Sequence, residues 1–242
     1  MTELDAYLAR HYLTETQIAH AAGIGVLEHA VLIAEQLVPA PSYVVSADGK
    51  LASYVFGEMD AGASKAGKYF HPAQVVWIAR ARAARAGASA QEAALHLKVR
   101  FLAGFNGALA DLDRSTCRLP DSFSEHGTPI GAGLAARGES AWLHFKMGTF
   151  GLCVANPVSE AHIARKEVLQ EKLTRDSDNG SRHLYSAHEA AALRGLIAEY
   201  AAAAMPFSPL EYPISSRKRL VEDLLGKIEL LDDEVTLVPV PA

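Results

Sequence analysis

Apolar positions recur at helical spacing along most of the chain, and capping or turn residues stand between the runs. Leu13-Thr14-Glu15-Thr16-Gln17-Ile18-Ala19 predicts a helix opening at a threonine cap, Ala22-Gly23-Ile24-Gly25 predicts a turn, and Val26 to Leu37 predicts a second helix ended by Val38-Pro39. Val44 to Lys50 predicts a hairpin with Asp48-Gly49 at its turn. Gly67-Lys68-Tyr69-Phe70-His71-Pro72 leads into a helix over 73–86, and Gly87-Ala88-Ser89 separates it from another over 90–112.

The Gly-, Pro- and Ser-containing stretch 119–139 predicts a loop, either a lid or a disordered surface segment. In 142–147 the pattern is read with period two: Leu143, Phe145 and Met147 point one way, and Trp142, His144 and Lys146 the other. With Gly148 and Gly151 bracketing a turn into Leu152 to Ala155, this predicts a hairpin over 142–155. A helix capped by Ser159, a loop over 176–181, a helix over 187–204, a stiff aromatic crossing over 205–213 and a last helix from Ser215 or Ser216 follow. The tail 229–242 reads as an edge strand or a flexible end. The expected fold is mainly α (α+β), with a winged helix-turn-helix-like lobe over 1–95 packed on a helical lobe over 96–242 that contains the small hairpin.

Composition leaves this outline standing but changes what the first lobe is for. Half of the 242 residues are hydrophobic, enough for a substantial core, and the formal net charge is −5. Between Met1 and Val45 the only lysine or arginine is Arg10, against Glu3, Asp5, Glu15, Glu28 and Glu35, so a surface shaped like a DNA reading head lacks the cations that neutralise phosphates. No nucleic-acid partner is expected. Cys117 and Cys153 are too few for a disulfide framework, and no apolar run approaches the ~20 residues of a membrane span, so a reduced, cytoplasmic protein without a membrane partner is expected.

The candidate chemistry lies in the second lobe. On the predicted ribbon, His144 is a candidate base and Lys146 a fixed positive charge, with Trp142 and Thr149 as candidate substrate contacts; the same residues also fit a solvated strand face and, for Trp142, core packing. Ser215 and Ser216 at a helix start, with the three cations Arg217, Lys218 and Arg219 in its first turns, form a candidate anion site, or a helix cap with solvated cations. There is no phosphate-binding loop, dinucleotide fingerprint, nucleophile elbow or His-Glu-x-x-His, and the ten histidines show no paired metal spacing, so no cofactor and no metal are expected.

Two resemblances add to this reading. The order of helices, hairpin, Tyr69-Phe70 and the break at 87–89 resembles the winged-helix module of MerR-type regulators over roughly the first 95 residues. The charge-poor start, Tyr69-Phe70-His71-Pro72, the block 144–151 and the segment Pro206-Phe207-Ser208-Pro209 to Arg219 together resemble a family of natural-product biosynthesis proteins, the aziridine-forming synthase subunits of azinomycin-type pathways. That resemblance implies closure of a three-membered ring by an amine on a carrier-tethered amino-acid chain, with loss of sulfate and no cofactor. His144 or His71 would take the ammonium proton, and Lys146, Arg217 or the Ser215–Ser216 helix start would hold the departing anion. A noncatalytic scaffold docking a small partner subunit through the charge-poor helix-turn-helix, and a MerR-like DNA-binding regulator, are the competing expectations.

Overall fold

The computed structural model describes residues 1–182 and 184–228. The predicted tail 229–242 and His183 lie outside them. Helices dominate, accompanied by a five-stranded antiparallel sheet in the order β1-β5-β2-β3-β4, so the mainly helical α+β expectation holds.

Helix α1 (Glu3–His11) is held by a capping box between Thr2 and Asp5, and α2 (Glu15–Ala21) by one between Thr14 and Gln17. After α2, Gly23 takes φ +65°, which favours glycine, and α3 (Val26–Ala34) leaves at a bend of 99°. The sheet is built from β1 (Leu13–Thr14), β2 (Tyr43–Val45), β3 (Lys50–Ser53), β4 (Gly57–Asp60) and β5 (Gly67–Phe70). The expected hairpin is β2–β3, with Val45 opposite Leu51 and Gly49 at φ +78° in its turn. Helices α4 (Gln74–Arg85) and α5 (Ala90–Ser115) follow, the latter opened by a Ser89–Glu92 capping box. No single helix among the described residues is long and apolar enough to cross a membrane.

The predicted hairpin over 142–155 is not present. Those residues belong to α6 (Gly131–Lys146) and the short α7 (Thr149–Cys153). Gly138, Ala141, Trp142 and Phe145 are buried, a spacing of three and four that is a helical stripe; six residues of alternation were too few to distinguish the two periods. The helix stops at Gly148, whose φ of +76° lets the backbone pass the carbonyls of Ala40 and Pro41.

The predicted loop 119–139 is likewise half helix. Its remaining part is pinned: Leu119 and Phe123 are buried, the Ile130 amide donates to the Ser122 carbonyl at 2.8 Å, and Arg137 forks onto Asp121 at 2.8 and 3.0 Å. The segment is thus an ordered connection in this structure, tied to α6 through Asp121 and Arg137.

Helices α8 (Glu160–Asp176) and α9 (Ala187–Ala203) complete the helical layer. A final helix, α10 (216–228), is preceded by the 3₁₀ turn Tyr212–Ile214 and contains a π-helical stretch, Lys218–Asp223. A continuous core runs from Leu4, Leu8 and Tyr43 through Phe101, Trp142 and Phe150 to Phe207, so the sheet and the helices share one interior rather than burying separate ones. Two lesser clusters lie under α2–α4 and between α8, α9 and α10. At the junction the buried Glu211 accepts hydroxyl hydrogen bonds from Tyr43 at 2.5 Å, Ser53 at 2.7 Å and Ser208 at 2.9 Å, tying β2 and β3 to the crossing at 205–213.

Candidate functional site

A cavity of about 680 Å³ opens among α5, α6, α7, α8 and α10. Its apolar wall includes Phe105, Leu109, Phe150 and Phe207, and Val55 and Phe56 of the β3–β4 turn close one side. Phe56 meets Phe207 edge to face at 5.8 Å, so the tip of the sheet is anchored against the crossing segment. The volume suits a small organic molecule.

Polar groups reach this space from four helices, α6, α7, α8 and α10. Arg137, Ser140 and His144 form a stripe at i, i+3 and i+7 along α6, a placement fixed by the helix and unattainable on the expected strand. His144 is half-buried, its Nδ1 is 3.2 Å from the Thr149 hydroxyl at the start of α7, and Tyr54 stands edge-on to its ring at 5.7 Å. Thr149 is buried and also lines the cavity. His144 and Thr149, both expected as site residues, are thus brought together across the Met147–Gly148 turn.

The other expected residues are elsewhere. Trp142 is turned inward, stacked on Phe145 at 5.3 Å and tilted against Phe101, which is the packing alternative. Lys146 does not line the cavity; its ammonium donates to Gln36 at 3.2 Å on the outer side of α6. Trp142, His144 and Lys146 stand two positions apart; this i, i+2 spacing gives one face on a strand and nearly opposite faces on a helix, which accounts for the misplacement.

His71 sits behind α7, packed against Gly151, and is not in the cavity wall. Its Nδ1 accepts from the Ala73 amide at 3.0 Å, and burial lowers its pKa to about 4, which leaves the imidazole neutral at pH 7.

The expected anion site at the start of α10 divides. Ser215 is the cap: its hydroxyl donates to the Tyr212 carbonyl at 2.8 Å and accepts from the Lys218 amide at 3.1 Å. Arg217 donates to the Ala201 and Ala204 carbonyls at 2.8 and 2.7 Å, closing the carboxyl end of α9. Ser216 alone faces the cavity, 2.9 Å from the Tyr200 hydroxyl.

Residues outside the expected site supply most of the rest. Lys166, buried on α8, donates to Glu167 at 2.9 Å and Gln170 at 2.6 Å. Burial opposes its charge, but Cys153, Glu167 and Tyr200 around it more than offset that, and its pKa is raised. Burial pushes the neighbouring Cys153 thiol up to about 11, so it is not a thiolate at neutral pH. Arg137 also forks onto Glu171 at 2.6 and 3.0 Å, and Arg219 of the π-helical stretch completes the wall. The sequence signal for Lys166 was visible only as the run Arg165-Lys166-Glu167 in a helix, the usual mark of a solvated face.

Helix α3 is the segment expected from the sequence to stand as the second helix of a helix-turn-helix. Leu27 is 84% exposed and Val31 52%, and Glu28 and Glu35 pair with Arg82 at 3.0 Å and Arg85 at 3.3 Å of α4. Residues 78–229 match DUF6058, a family of unknown function; the matched stretch contains the whole cavity wall except the β3–β4 turn. No curated protein and no solved structure matches the chain.

Proposed function

We propose that the chain, which belongs to the DUF6058 family, is an enzyme acting on a small organic molecule in the cavity at His144. The observation that carries this reading is the pairing of His144 with Thr149 at 3.2 Å on the wall of a large, otherwise mostly apolar space. In the tautomer whose Nδ1–H donates to the Thr149 hydroxyl, the lone pair lies on Nε2 and the contact orients the ring, the arrangement a general base needs. The apolar walls exclude water from the ligand and strengthen the field of the charges at its edge. Cys117 and Cys153 are free and buried, in keeping with a cytoplasmic setting.

Ring closure by an internal amine with loss of sulfate is one reaction within this class: His144 would accept the ammonium proton as nitrogen attacks carbon, and the carbon–oxygen bond to sulfate would break. A carrier-tethered or free sulfated amino substrate is the direct assay for it. The broader test incubates the purified protein with a soluble metabolite extract and follows it by mass spectrometry beside His144→Gln. Time-dependent conversion of a compound by the wild type and not by the variant supports the proposal; no conversion, or equal conversion by both, overturns it.

A further inference from the structure

We infer that the cavity at His144 takes an organic anion, with its apolar body against Phe105, Phe150 and Phe207 and its acidic group at Arg219 and Ser216. The inference rests on reading that cavity as the functional site and names the class of molecule it receives.

Charge on the wall is unbalanced. Arg137, Lys166 and Arg219 face the space with a single carboxylate, Glu167, among the lining groups. Arg137 is held by Asp121 and Glu171, which stand behind the wall, and Lys166 by Glu167 and Gln170. Arg219 is different: its guanidinium makes no hydrogen bond or ion pair among the described residues, and its Nε is buried without an acceptor. A buried donor with no partner costs free energy that an incoming oxyanion recovers. The planar guanidinium presents two parallel N–H groups, the fork that carboxylate, sulfonate and phosphate oxygens fit.

Three features place this group deliberately. The Arg219 stem lies over Gly180, where a Cβ would approach its Cγ to 3.1 Å, so the turn is kept bare beneath it. The π-helical turn Lys218–Asp223 changes the angular spacing of α10 at this residue, and such turns recur at functional sites. Ser216, one turn earlier, adds a hydroxyl on the same wall. The remaining lining is too apolar for an inorganic ion to be the whole ligand, which fixes the class as an acid with a hydrocarbon or aromatic body.

The test is a fluorescence titration with 8-anilinonaphthalene-1-sulfonate, displaced in turn by decanoate, decan-1-ol and decylammonium at fixed ionic strength. Decanoate should displace the dye at about tenfold lower concentration than decanol, with decylammonium weakest. Arg219→Met, which keeps the stem, should erase that preference at an unchanged melting temperature, and Ser216→Ala should weaken it. Equal displacement by decanoate and decanol in the wild type, or an undiminished preference in Arg219→Met, overturns the anion site while leaving the cavity reading in place. Ser140→Trp, which fills the cavity from a partly solvated position, should abolish dye binding; full binding in that variant puts the dye elsewhere and removes the cavity reading itself.

Discussion

Nδ1 of His144 lies 3.2 Å from the hydroxyl of Thr149, although the two residues belong to different helices. The link depends on the turn between them, where Gly148 adopts φ +76° directly against the main chain of residues 40 and 41. If this pair sets the base, His144→Gln should lower turnover by about 10²–10⁴-fold with a far smaller change in KM. Thr149→Val should cost less, since the ring remains but loses its orienting partner. Equal losses in kcat and binding affinity for His144→Gln would instead make the histidine a packing residue.

Gly148→Ala tests the turn. A side chain there meets both a left-handed backbone and the Ala40 carbonyl, 2.5 Å from the new Cβ. Strain of this kind should destabilise the protein by about 2 kcal/mol or more, read from the shift in the urea midpoint.

Several helices were legible in the sequence because a polar residue marks their start, whereas α6, which has no side-chain cap, was read as loop and strand. Thr14 with Gln17, Ser89 with Glu92 and Ser159 all stand where their helices start. The β2–β3 hairpin was announced by Asp48-Gly49, whereas β4 and β5 are too short and too polar to show alternation. The site was half legible. His144 and Thr149 were found through the oddity of their neighbourhood, but on the wrong element, and the same error put Lys146 beside them. Lys166 and Gln170 were hidden because their place on the cavity wall comes from tertiary packing, which no local pattern encodes, and Arg219 was visible only as one of three cations in the first turns of the last helix.

The corrected placement of Trp142 and Lys146 gives opposite expectations for the two. Trp142→Ala should cost about 3–5 kcal/mol of stability by opening the space against Phe101 and Phe145. Lys146→Ala should change stability by no more than about 0.5 kcal/mol and leave ligand binding intact. Thermal and urea melts with dye binding distinguish this from the strand arrangement, in which Lys146 would matter to the ligand.

Acid should loosen the fold through His71. Its folded pKa is lowered from 6.5 to about 4, so its contribution is fully present above pH 6.5 and is lost as pH falls through about 4. The gap corresponds to about 3 kcal/mol. Glu211 runs the other way: burial raises its carboxyl, so its contribution is greatest at acid pH and declines as pH rises through its folded value. His71→Gln isolates the first effect and should flatten the loss of stability between pH 6.5 and 4 in urea midpoints taken across that range.

The α3 surface yields a prediction about DNA. Because its acids engage Arg82 and Arg85 and its exposed face is Leu27 and Val31, duplex oligonucleotides should show no salt-sensitive mobility shift even at low salt. A shift that weakens steeply as salt is added would restore the regulator.

Histidine NMR addresses the central claim most directly, because the claim is that ligand sits against His144. The protein, labelled with ¹³C at the histidine Cε1, is titrated with 8-anilinonaphthalene-1-sulfonate, and the His144 resonance is identified as the one missing in His144→Gln. That resonance should move with saturation while the buried His71 signal stays fixed. A saturating titration that leaves His144 unmoved would contradict the account.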